Sequence, residues 1–218
     1  MGNKSQRRAA FDQIDLYPVT DQGLSLGRTD LEVLEGLIAG GARIVQLREK
    51  HLSKKDFYLL AQDFRDRTAK AGMLLIINDH LDIALACGAD GVHLGQDDLP
   101  LTVAKKLAPD LVIGVSTHSL EEALEAQEQG ADYVNIGPIF ATQTKELSMS
   151  PLGPETINKI VPQLKIPFTV MGGINQSNIR EVLRAGAGKI AVVTAVTKAE
   201  DIGQAVQKLR KIIVEFSA

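Results

Sequence analysis

A chain of 218 residues is the length of one closed α/β domain, and 44% hydrophobic with 23% charged residues is an ordinary globular balance. A net charge of −3, with a pI near 5.8, excludes the basic footprint of a general nucleic-acid binder. No apolar run approaches the ~20 residues that span a bilayer, and the single cysteine, Cys87, excludes an intrachain disulfide. Set among Ala84, Leu85, Ala86 and Gly88, it reads as a small buried thiol. Residues 1–13 look like a flexible leader ahead of a domain over 14–218. Lys4, Arg7 and Arg8 imitate a signal n-region with no apolar segment after it, and Gln6 breaks the myristoylation pattern that Met1-Gly2 begins. The expected location is cytoplasmic.

Leu16 to Thr20 reads as the first strand, and a helix from Leu31 to Ala39 leads to the second at Ile44. Ser53 caps a long amphipathic helix to about Ala71. Leu74-Leu75-Ile76-Ile77 is an unbroken apolar run, as expected of a strand buried on both faces. Val92–Leu94 and Leu111–Val115 follow, and Ser119 with Glu122 forms a capping box before the next helix. Tyr133–Ile136, Phe168–Met171 and Ile190–Val193 complete eight strands, and a helix from Ala199 to about Phe216 closes the chain.

One phrase recurs. Gly41-Ala42, Gly88-Ala89, Gly130-Ala131 and Gly186-Ala187 each stand between the end of a helix and the start of a short apolar strand, 47, 42 and 56 residues apart. Glycine at each takes the left-handed cap position. Each interval holds two strand–helix units, so the repeat predicts a single (β/α)₈ TIM barrel. A doubly wound sheet fits less well, because the even repeat has no point where strand order would reverse.

Chemistry in such barrels sits at the C-terminal strand ends, and the unusual residues fall there. If strand 2 continues extended, Gln46, Arg48 and Lys50 share one face and Leu47 the other. One amide and two cations make a clamp for phosphate oxygens. Asn78 and Asp79 end strand 3, and Gly95-Gln96-Asp97-Asp98 follows strand 4. Asp79 and Asp98 lie on neighbouring strand ends and could share Mg²⁺, which takes one or two carboxylates, waters and substrate phosphates. Asp97 competes for that role, and Asp98 before Leu99-Pro100 could instead cap a helix. Gly172-Gly173 and Val193-Thr194, after strands 7 and 8, form a second pole where backbone amides receive a phosphate. His118 reads as a surface residue ahead of the Ser119 cap, and His51, His80 and His93 are too dispersed for a zinc site.

Six motifs then occur in order: Val45 to Lys50, Ile77 to Asp79, His93 to Asp98, Gly114 to His118, Thr142-Gln143-Thr144-Lys145 and Gly172-Gly173-Ile174. Together they resemble the thiamine-phosphate synthase family over about Leu16 to Phe216. The resemblance implies a (β/α)₈ barrel that joins a hydroxymethylpyrimidine pyrophosphate to a thiazole phosphate in a dissociative reaction, releasing pyrophosphate. It assigns Gln46, Leu47, Arg48, Glu49, Lys50, Asn78, Ser116 and Lys145 to the pyrimidine pyrophosphate, with Arg48, Lys50, Ser116 and Lys145 catalytic. It gives Asp79 and Asp98 to one Mg²⁺ per subunit, and Thr142, Gln143, Thr144, Gly173, Val193 and Thr194 to the thiazole phosphate. The implied partners are these small molecules, with no nucleic acid and no membrane, and a homo-oligomer is left open. Thiazole tautomerases share the fold and the Gly-Gly-Ile turn but lack the complete set of Gln46, Lys50, Asp98 and the Thr-x-Thr-Lys run. The polar loop from Ala141 to Ser150 is expected to order on substrate binding.

Overall fold

The computed structural model describes residues 2–142 and 150–217. The chain opens with helix α1 (Lys4–Asp12), then strand β1 (Leu16–Pro18), α2 (Asp30–Ala39) and β2 (Ile44–Leu47). It continues through α3 (Lys54–Ala71), β3 (Leu74–Asn78), α4 (Leu81–Cys87), β4 (Gly91–Leu94) and α5 (Leu101–Leu107). Next come β5 (Val112–Thr117), α6 (Leu120–Glu128), β6 (Tyr133–Ile136), α7 (Glu155–Ile160) and β7 (Phe168–Val170). The last elements are α8 (Ile179–Arg184), β8 (Ile190–Val192), α9 (Thr194–Thr197) and α10 (Ile202–Ser217). All pairings are parallel, in the order β1-β8-β7-β6-β5-β4-β3-β2. A parallel bridge between Val19 and Gln46 brings β1 back to β2 and closes the (β/α)₈ barrel.

The repeat has a common local cause. Gly41, Gly88, Gly130 and Gly186 all have φ between 67° and 95°. After each, the Ala N–H reaches a carbonyl five residues back, as Ala42 does to Leu37 and Ala131 to Ala126. That is the Schellman ending, four times over. The aspartate in the third place of two copies is also structural. Asp90 accepts the Leu75 N–H and Asp132 the Ile113 N–H, both at 2.9 Å, tying each repeat to the strand beside it.

Two cores result. One, containing Leu47, Phe64, Leu75 and Val134, fills the space between barrel and helices. The other lies inside the barrel and comprises Phe11, Ile14, Tyr17, Ile44, Leu74, Ile76, Val112, Tyr133 and Ala191. Going up the inward face two residues at a time, apolar side chains give way to polar ones: Ile44 to Gln46 and Arg48, Ile76 to Asn78, Val112 to Ser116, Tyr133 to Asn135. The lower half of the barrel is packed and the upper half is a polar floor.

Residues 4–12 are not a flexible leader. They form α1, with a reciprocal Asn3–Gln6 capping box, and Phe11 is buried inside the barrel base. The cations that resembled a signal n-region answer the buried repeat carboxylates. Lys4 lies 2.9 Å from Asp132 and Arg7 3.4 Å from Asp90, which also takes Arg65 at 2.7 Å. Asp90 and Asp132 are almost wholly shielded from water, and a buried charge persists only when it is paired. At α6 the Ser119 side chain accepts the Glu122 N–H as expected, but Glu122 returns its carboxylate to the His118 N–H rather than to Ser119. Among the described residues, no helix is long and apolar enough to cross a membrane.

Candidate active site

A cavity of about 340 Å³ opens at the C-terminal end of the barrel. Gln46, in β2, and Arg48 and Lys50, just past its end, all line it. The alternation turns Leu47 away into the outer core, and Glu49 folds its carboxylate onto the Lys50 and His51 amides at 2.6 and 2.9 Å. Neither Leu47 nor Glu49 lines the cavity. The Arg48 guanidinium is paired with Asp21, and its amide donates to Thr20 Oγ1 at 3.0 Å.

Asp30 in the first turn of α2 is buried, and its carboxyl is pushed up to about 7 by that burial and by the neighbouring Glu49 charge, with the Thr20 hydroxyl acting the other way. Between about pH 4 and pH 7 the folded state therefore keeps a proton that the unfolded chain releases, so stability falls as pH rises through that window. Asp30→Asn is expected to flatten this slope and raise the melting temperature at pH 8 more than at pH 5. Parallel melting curves for the two proteins across that range would contradict the assignment.

Among the described residues of the cavity wall, Asp79 is the one non-glycine with a left-handed backbone, at φ of 61°. Its side chain meets the Lys50 ammonium, and it is electrostatically coupled to the neighbouring Asp98 carboxyl. Burial acts to raise the Asp79 carboxyl, but Asp98 and Lys50 outweigh it and hold Asp79 below the ordinary range. Asp98 moves the opposite way, raised by burial and then by the Asp79 carboxylate. The two acids are thus shifted in opposite directions, as neighbouring like charges are, with the Lys50 ammonium as the counter-charge on Asp79. Asp98 is not a helix cap: Pro100 holds that position at α5, while Asp98 Oδ2 accepts the Gly95 N–H at 2.6 Å. Asp97 also lines the cavity.

Across the mouth, Thr142, Gly172, Gly173, Val193 and Thr194 form the facing wall. Gly173 has φ of 64°, and a Cβ there would lie 2.4 Å from the Ala141 carbonyl oxygen. Only glycine allows the β6 and β7 loops to approach this closely. Asn78 and Ser116 complete the floor, and Gln96 donates to the Ser116 carbonyl at 2.6 Å. Gln143, Thr144 and Lys145 lie outside the described residues, as does most of the loop expected to order on binding.

Sequence reading missed several lining groups. His118 is on the cavity wall rather than the outer surface, half-buried, its Nδ1 2.5 Å from the Gly137 carbonyl. His93 stands on the floor between Ser116 and Tyr133. The period of two along β4, which places His93 on the inward face, was the available signal.

Cations and two coupled acids on one side, with close-packed backbone on the other, suit a barrel enzyme acting on phosphorylated small molecules. The comparisons make this specific. A profile of the thiamine monophosphate synthase family matches residues 16–196. A thiamine-phosphate synthase of Chloroflexus aurantiacus is 49% identical over 198 residues, covering 91% of this chain and 92% of that one. The structure of a thiamine phosphate pyrophosphorylase from Pyrococcus furiosus superposes with a TM-score of 0.88 at 41% identity, covering 97% and 99% of the two chains. A 3-hexulose-6-phosphate synthase structure, at 20% identity and a TM-score of 0.68 over 91% and 99%, shares the fold alone. The chain belongs to the thiamine-phosphate synthase family, transferases of thiamine biosynthesis.

Proposed function

We propose that this chain joins 4-amino-2-methyl-5-(diphosphomethyl)pyrimidine to 4-methyl-5-(2-phosphoethyl)thiazole, or to its carboxylated form with loss of CO₂, giving thiamine monophosphate and pyrophosphate. The observation that carries the reading is the Asp79–Asp98 pair beside Lys50 and Arg48 in one cavity. Such a group has use for a diphosphate and a hard cation, and little for an uncharged ligand.

The donor set fits Mg²⁺. Among the described residues, no three or more His, Cys, Asp or Glu are grouped to hold a metal, so two carboxylate residues would be supplemented by water and phosphate oxygens, as this ion prefers. Asp79 and Asp98 would hold it. When bound, Mg²⁺ would neutralise charge on the departing diphosphate.

In the proposed reaction the bond from the pyrimidine methylene carbon to the diphosphate oxygen breaks, and the electron pair leaves with the oxygen. The ring amino group stabilises the resulting methylene cation, and the thiazole nitrogen lone pair then forms the new C–N bond. No enzymic nucleophile is required. Arg48, Lys50 and Lys145 would balance the leaving charge, while Gln46, Asn78 and Ser116 would fix its oxygens by hydrogen bonds; one such donor is worth roughly 2.7–4 kcal/mol at the transition state. Thr142, Gln143, Thr144, Gly173, Val193 and Thr194 would hold the thiazole phosphate opposite, placing its nitrogen for attack. The reading keeps a cytoplasmic location and small-molecule partners. Incubating the protein with both substrates and Mg²⁺ should yield thiamine monophosphate by mass spectrometry. Tight binding of both substrates with no product would instead indicate a phosphate-sensing barrel.

A further inference from the structure

Beneath the cavity floor, five polar side chains from five strands touch in series. Gln46 Nε2 donates to the Tyr17 hydroxyl at 3.0 Å, and the Tyr17 and Tyr133 hydroxyls lie 2.9 Å apart. The Tyr133 hydroxyl is 3.0 Å from His93 Nδ1, and His93 Nε2 is 2.9 Å from Ser116 Oγ. Both tyrosines are wholly buried, in a layer whose other members are apolar. Phenylalanines would fill the same space without the desolvation cost of two hydroxyls. The series ends at two groups that line the cavity, Gln46 and Ser116.

We propose that Tyr17, Tyr133 and His93 are positioning residues, forming a one-way hydrogen-bond relay that turns the Ser116 hydroxyl hydrogen into the cavity. This rests on the reading above, in which Ser116 donates to the leaving diphosphate. The direction follows from counting hydrogens. An amide nitrogen only donates, so Tyr17 accepts from Gln46 and gives its own hydrogen to Tyr133. Tyr133 must then give its hydrogen to His93 Nδ1. That fixes His93 in the Nε2–H tautomer, donating to Ser116 Oγ. Ser116 has one hydrogen, and with its oxygen already accepting, that hydrogen is left for the cavity. Hydrogen bonds aligned head to tail in this way polarise one another. An inverted Gln46 amide would reverse every step, put the proton on Nδ1 and turn the serine hydrogen back to the histidine.

The rings are held independently of their hydroxyls. Phe11 of α1 stacks on Tyr133 with centroids 4.3 Å apart, and His93 stacks on it at 5.5 Å. A Cβ at Gly114 would lie 2.0 Å from the Tyr133 ring, so that glycine makes the slot. Tyr133→Phe therefore removes the relay and keeps the packing.

Two measurements test the relay. In ¹⁵N-histidine-labelled wild-type protein, His93 is expected as the Nε2–H tautomer; the Nδ1–H tautomer would overturn the relay's direction whether or not the chain proves to be a synthase. In steady-state kinetics, Tyr133→Phe is expected to lower kcat about tenfold, less than outright loss of a transition-state donor, with each KM within about twofold. Ser116→Ala/Tyr133→Phe should then match Ser116→Ala alone within about twofold, because groups acting through one another are not additive. Normal turnover in Tyr133→Phe, or a full second loss in the double variant, would reduce these residues to packing. If Tyr133→Phe fails to fold, the wild-type spectrum alone decides the direction.

Discussion

Asp79→Asn is expected to keep the fold and lose roughly 10²–10³-fold in kcat, the several kcal/mol that charge neutralisation by a bound cation supplies. Asparagine suits this position because it tolerates the left-handed backbone that Asp79 adopts at φ of 61°. The substitution thus separates charge from conformation. It also frees Lys50, whose ammonium is paired with Asp79, so diphosphate affinity should fall far less than turnover. The Mg²⁺ concentration for half-maximal rate should rise. Unchanged kcat and Mg²⁺ dependence would remove Asp79 from the charged pole.

Phe11→Ala is expected to destabilise the barrel by about 3–5 kcal/mol, the usual cost of emptying a buried aromatic position. For a chain of this size that lowers the melting temperature by roughly 10 °C. Phe11 fills the base of the barrel against Tyr17 and Tyr133, with ring centroids at 6.3 and 4.3 Å. Its loss would also loosen α1, and with it the Lys4 and Arg7 contacts to Asp132 and Asp90. Thermal unfolding followed by circular dichroism would measure this. A shift under about 2 °C, about 1 kcal/mol or less for this length, would mean that α1 contributes no more than a frayed leader.

Much of the site was legible because its rules are local. The period of two along β2, counted on past its end, is enough to pick out Gln46, Arg48 and Lys50 as cavity residues and Leu47 as a core residue behind them. The four Gly-Ala phrases are Schellman endings that a single helix can specify. Glu49 shows where the same reasoning stops. It adjoins two cavity residues, yet competition from the Lys50 and His51 amides folds its carboxylate back. Residues 4–12 were misread because Lys4, Arg7 and Arg8 have no visible purpose until Asp90 and Asp132 are known to be buried beneath them. The relay was hidden for a similar reason. Tyr17 and Tyr133 are 116 residues apart and meet only across the closed barrel.

The most direct test is the rate of pyrophosphate release from the pyrimidine substrate, measured with and without thiazole phosphate, in Mg²⁺ and in EDTA. Release that requires both substrates and stops when the metal is removed is the predicted result. Release that proceeds unchanged in EDTA, or interconversion of thiazole isomers with no pyrophosphate formed, would contradict the two-pole account of this cavity.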